Sequence, residues 1–136
     1  MRRYGTAAVV YTALALAGGV FYREFTKFQG FTGETALSVV HTHYFLLGMM
    51  VFLLLALLER SFSFTTRVVR RSLVVYHIGL NLTAGMLAVR GVLQVLGTEL
   101  SSGLDASISG VAGIGHLLLG GSLLLVLLQL RRRMPA

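Results

Sequence analysis

Cysteine and tryptophan are absent from this chain, proline occurs once, and acidic residues number only five. The lack of cysteine excludes a disulfide scaffold, a Cys-ligated zinc or iron–sulfur site and covalent c-type haem attachment. Any metal or cofactor must therefore be held by His, Met, Tyr or carboxylate groups. Charge is scarce as well: 12% of the 136 residues are charged, 55% are apolar, and the mean hydropathy is +0.78. That balance excludes disorder and does not suit an ordinary soluble domain. A net charge of +7 would point to nucleic acid in a soluble protein. Here the basic residues sit at the ends of long apolar runs, so the expected surroundings are a lipid bilayer, with no nucleic-acid partner.

A hydrocarbon core of roughly 30 Å needs about 20 apolar residues as a helix. Four stretches meet that length: Tyr4 to Tyr22, Leu37 to Leu58, Val68 to Leu96 and Ile108 to Leu130. The first has the charged start (Arg2, Arg3) and small-residue end (Ala17, Gly18, Gly19) of a cleaved signal peptide. Its length and the immediate Val20-Phe21-Tyr22-Arg23 continuation favour a retained span. Gly30, Gly33 and the Thr32/Glu34 pair mark the start of the second span, and Thr98 to Gly103 punctuate the third loop. The expected fold class is all-α, one integral membrane four-helix bundle over residues 1–136.

Basic residues orient the bundle. Arg2, Arg3, Arg60, Arg67, Arg70, Arg71, Arg131, Arg132 and Arg133 fall on one side of a four-span topology, against Arg23 and Lys27 on the other. By the positive-inside rule both termini face the cytoplasm. The loops Arg23 to Glu34 and Gly97 to Asp105 then face outward, and no soluble catalytic domain is left outside the membrane.

All four histidines fall within these spans: His41 and His43 on the second, His77 on the third, His116 on the fourth. Ligating side chains are costly in a bilayer and mark either function or hydrogen bonding between helices. His41 and His43 are two positions apart, about 200° round a helix, and so point to nearly opposite faces. One chain cannot aim both at one small site; the arrangement suits a helix lying between two planar ligands. The bland alternative satisfies each with a carbonyl or water. His77 begins a stripe with Asn81, Ala84 and Ala88, beside Gly85, which reads as a close-packing face. His116, between Gly113 and Gly120, fits either a ligand or an interhelical bond. Tyr11, Tyr44, Met49 and Met50 could serve a redox or metal site and are more often packing residues.

Arg90 lies about two turns inside the outer end of the third span and needs an anionic partner. With Arg23 and Lys27 on the same side it could hold carboxylates of a ligand; alternatively Glu24 or Glu34 neutralises it internally.

The run His41-Thr-His43-Tyr-Phe-Leu-Leu-Gly-Met49 resembles the His-x-His-Tyr segment on the tenth helix of the haem–copper oxidase catalytic subunit, where the two histidines ligate two haems. Gly19-Val-Phe-Tyr-Arg-Glu-Phe-Thr-Lys-Phe with Leu-Ser-Val-Val-His-Thr-His also resembles a family of small, uncharacterised four-span bacterial membrane proteins. The oxidase subunit has twelve helices in pseudo-threefold array, with ligands on the second, sixth and tenth. The resemblance implies a homotrimer equivalent to three such units. Non-covalent haem b would be held at subunit interfaces near the outer face, by His41 of one chain and His43 of the next. Arg90, Arg23 and Lys27 would face the propionates, and the role would be electron transfer or related redox chemistry. There is no adjacent His-His pair and no His-Pro-Glu-Val-Tyr segment, so an oxygen-reducing haem–copper centre is not implied. The alternatives are copper or another transition metal on His41, His43, Met49 and Met50, with His77 and His116 as lesser candidates, and an assembly protein without redox chemistry. The residues name no electron donor or acceptor and no quinol site.

Overall fold

In lipid a backbone must satisfy its own hydrogen bonds, and four uninterrupted apolar runs do so here as four long helices. The computed structural model describes residues Met1–Pro135; Ala136, the last position of the expected domain, lies outside them. The helices are α1 (Arg2–Phe28), α2 (Leu37–Phe62), α3 (Arg67–Val95) and α4 (Ser102–Arg131). Each is long and apolar enough to cross a membrane, which is consistent with a multi-pass membrane protein.

The helices outrun the apolar stretches that predicted them. α1 continues past Tyr22 to Phe28, so Arg23, Glu24 and Lys27 ride on its last turns instead of a loop. It stops at Gly30 (φ +61°): the Gly30 N–H donates to Lys27 O at 3.1 Å and the Phe31 N–H to Thr26 O at 2.9 Å. That pair of bonds is a Schellman closure, which needs a left-handed residue. α3 ends the same way at Gly97 (φ +63°), with Gly97 donating to Gln94 O and Thr98 to Leu93 O. α4 begins at Ser102, ahead of Ile108, because the Ser101 hydroxyl accepts from the Leu104 N–H at 3.4 Å and caps the helix. At the other end Thr66 caps α3, and the Glu59 carboxylate accepts from the Thr65 N–H at 3.0 Å, fixing the short turn after α2.

Neighbours in sequence are neighbours in space: α1 packs on α2, α2 on α3 and α3 on α4. α3 and α4 approach along two glycines. A Cβ on Gly79 would lie 2.6 Å from the Leu119 backbone nitrogen, and one on Gly115 2.9 Å from that of Thr83. Two glycines thus let the backbones touch, gaining dispersion contacts where lipid offers no hydrophobic drive. The close-packing glycine beside His116 is therefore Gly115; Gly113 and Gly120, expected from spacing, border open space, as does Gly85. The buried core gathers at the end holding the termini, around Tyr4, Phe52, Phe64, Val69 and Tyr76.

α2 is not uniform. Residues Tyr44–Met50, immediately after His43, form a π-helical segment. Within it the Leu47 carbonyl accepts from the Tyr76 hydroxyl at 2.6 Å. Gly48 lies so close under the Tyr11 ring that a Cβ there would come within 2.5 Å of it. Widened turns of this kind recur at functional sites.

Candidate functional site

The two histidines of α2 point to different neighbours, as their angular spacing requires. His41 lies against α1, its ring beside Gly18 and Gly19. Its Nδ1 is buried without a hydrogen-bond partner. His43 lies on the other side and meets His116 of α4, with ring centroids 6.2 Å apart and planes at 83°. α2 and α4 are not themselves in close backbone contact, so these side chains reach towards each other across a gap.

Both rings of that pair are held alike. His43 Nδ1 is 2.8 Å from Val39 O, and His116 Nδ1 is 2.9 Å from Ala112 O, in each case the carbonyl four residues earlier on the same helix. A carbonyl only accepts, so Nδ1 carries the proton and, in the neutral ring, Nε2 keeps its lone pair. Anchoring one nitrogen this way fixes the tautomer and the ring orientation, the usual preparation of a metal-ligating histidine. His43 is half-buried and His116 exposed.

His77 is differently employed. Asn81 Nδ2 donates to the Tyr11 hydroxyl at 3.2 Å and to His77 O at 2.8 Å, while Asn81 Oδ1 accepts from the Tyr44 hydroxyl at 3.2 Å. The Tyr11 hydrogen is left to donate to His77 Nδ1 at 2.6 Å, so the neutral ring carries its proton on Nε2. The ring also stacks on Phe52 at 4.7 Å and on Tyr11 at 5.6 Å. This network ties α1, α2 and α3 together, the interhelical role its sequence stripe implied.

Arg90 finds its anion on α4. It pairs with Asp105 at 2.9 Å and donates to Ser109 Oγ at 2.7 Å and to the Asp105 carbonyl. Neither Glu24 nor Glu34 is its partner; Glu24 pairs with Arg23 at 3.6 Å. Arg23 and Lys27 are exposed on the last turns of α1, and no hydrogen bond or ion pair joins them to Arg90 among the described residues. Sequence reasoning missed Asp105 and Ser109. Ser101, Asp105 and Ser109 do recur every four residues, a polar stripe facing something charged.

Among the described residues no group of three or more His, Asp or Glu side chains converges as a bare metal ion would require. The copper site imagined from His41, His43, Met49 and Met50 is not assembled, since His41 and His43 lie on opposite sides of α2. The tyrosines are engaged in the α1–α3 network.

No curated protein and no solved structure matches this chain. One family does, over residues 1–133, nearly the whole length, and its description reads protein of unknown function (DUF2871). The four apolar helices and that match together place the chain as a small membrane-type protein that belongs to the DUF2871 family.

Proposed function

We propose that this protein is a haem b-binding integral membrane protein with an electron-transfer or related redox role, and that His43 and His116 are its iron ligands. The observation that carries the reading is the common state of these two rings, Nδ1 tied to a carbonyl and Nε2 left free, facing each other at 6.2 Å. These are the residues that would hold an iron, and a 6.2 Å ring separation would leave room for it. The donor set also favours haem over a bare ion. A porphyrin brings four nitrogens and needs one or two protein ligands, whereas copper or zinc would need three or four from a chain that offers no such cluster among the described residues.

Haem b, when bound, supplies reversible one-electron chemistry. The carbonyls of Val39 and Ala112 orient the ligand rings, and two imidazole ligands disfavour gas binding. Arg23 and Lys27, unpaired or weakly paired at the same end as Arg90, supply cations for propionates. Arg90, already neutralised by Asp105, contributes hydrogen bonds more than net charge.

A second reading shares each haem between copies, His41 of one chain with His43 of the next, in a cyclic homotrimer resembling the oxidase core. The opposite placement of His41 and His43 about α2 favours it, as does the large unburied apolar surface of every helix. The nine arginines at the terminal end support an inner-membrane location with both termini cytoplasmic.

The test is the absorption spectrum of detergent-purified protein from haem-replete cells, oxidised and reduced, with a pyridine haemochrome assay. The expected result is a six-coordinate b-type spectrum, altered by His116→Ala and indifferent to His41→Ala. The trimer reading expects the reverse, together with a three-chain mass. A colourless protein would overturn both.

A further inference from the structure

We propose that the cleft at the terminal end of the bundle, between α1, α2 and α3, binds an anionic phospholipid. The inference goes beyond the redox reading and uses none of its ligands. The cleft has a volume of about 550 Å³, with Arg2, Arg3 and Arg70 among its lining residues and Phe52, Leu73 and His77 further in. The arginines come from the first turns of two different helices. None has a carboxylate partner: the ion pairs among the described residues are Arg23–Glu24 and Arg90–Asp105. Glu59 also lines the cleft and keeps its negative charge while accepting from the Thr65 N–H. Against Arg2, Arg3 and Arg70 that single carboxylate leaves the mouth net positive, and the positive ends of the α1 and α3 dipoles add to it.

The charge gives way to apolar walls. Arg70, Leu73, Val74 and His77 fall at helical spacing on one face of α3, so about 10 Å of wall leads from the arginines to His77. Phe52 is buried behind it. At this depth His77 offers only a donor, Nε2–H, because its Nδ1 accepts from Tyr11. Cations first, then an apolar channel with one donor inside it, match a phosphate followed by an ester carbonyl and an acyl chain. Free phosphate would fill the mouth and leave the apolar part empty. The cleft also lies where helices end, at the level of headgroups, and each arginine near an anionic surface strengthens binding about fivefold.

The probe is mixed detergent micelles containing phosphatidylglycerol or phosphatidylcholine, read by native mass spectrometry and by thermal shift on the full chain. Phosphatidylglycerol should be retained and should raise the melting temperature; phosphatidylcholine and millimolar inorganic phosphate should do neither. The Arg3→Gln/Arg70→Gln double variant should weaken retention about 25-fold. An Arg131→Gln/Arg132→Gln/Arg133→Gln variant, with charges removed from the same end but outside the cleft, should bind as the parent does. Val74→Trp, which fills the cleft without touching any charge, should also lose the lipid and covers the case in which the double variant does not fold. Equal retention of the two lipids would overturn the proposal. So would a matching shift with inorganic phosphate, or an equal loss in the tail variant.

Discussion

His77 and the pair His43/His116 are the same side chain put to opposite uses. The His77 ring packs beside both Tyr11 and Phe52, its Nδ1 taken by a phenol, in a network that joins three helices. His43 and His116 spend one nitrogen on their own helix and leave the other unbonded, their rings edge to face at 6.2 Å. A satisfied polar network buried in a bundle contributes stability and helix register. A ring held by its own backbone contributes little to stability and keeps its second nitrogen free. The lesson is that burial of a histidine in a membrane helix is less informative than which of its nitrogens is already used.

Breaking the open pair should give the largest effect. His43→Ala should abolish haem loading, seen as loss of the Soret band, while circular dichroism and melting temperature stay within experimental error of the parent apoprotein. His116→Ala should be next, leaving partial loading with a five-coordinate, high-spin spectrum that now binds carbon monoxide. Breaking the closed network should do the reverse: His77→Leu should destabilise the fold by about 1 to 3 kcal/mol, because the Tyr11 hydroxyl loses its acceptor, and should leave haem per chain unchanged. Tyr44→Phe, at the edge of that network, should cost about 1 kcal/mol in the same unfolding assay, again with full loading. A His77 variant that lost haem while folding normally would erase the distinction.

Much of the architecture was readable from the residues, and the reasons are physical. Hydropathy alone locates four spans, because lipid leaves a helix no other way to satisfy its backbone. The helices run beyond them at Arg23–Phe28 and Ser102–Ser107, since capping and Schellman glycines stop a helix, not the loss of apolar character. The opposite directions of His41 and His43 follow from 100° per residue. Their neighbours do not: that His43 meets His116 depends on α4 docking against α3 through Gly79 and Gly115. In a helix apolar all round, no periodicity distinguishes Gly115 from Gly113 or Gly120. Arg90 announced its need for an anion, but Asp105 stands one helix away, and no local rule links them.

The widened segment Tyr44–Met50 has a consequence for how α2 came to serve two ends of the molecule. A π turn is what an α-helix becomes when it carries one residue more than its two flanks can share. It works as a phase compensator: the half bearing His41 and His43 is set by contacts with α1 and α4, and the half bearing Phe52 and Leu55 by the core. Removing a single residue there should let the turn close to ordinary pitch with both halves still facing as they do, whereas the same deletion in a plain α turn would swing one half against the other by about 100°. The core would hold, and His43 would still face His116.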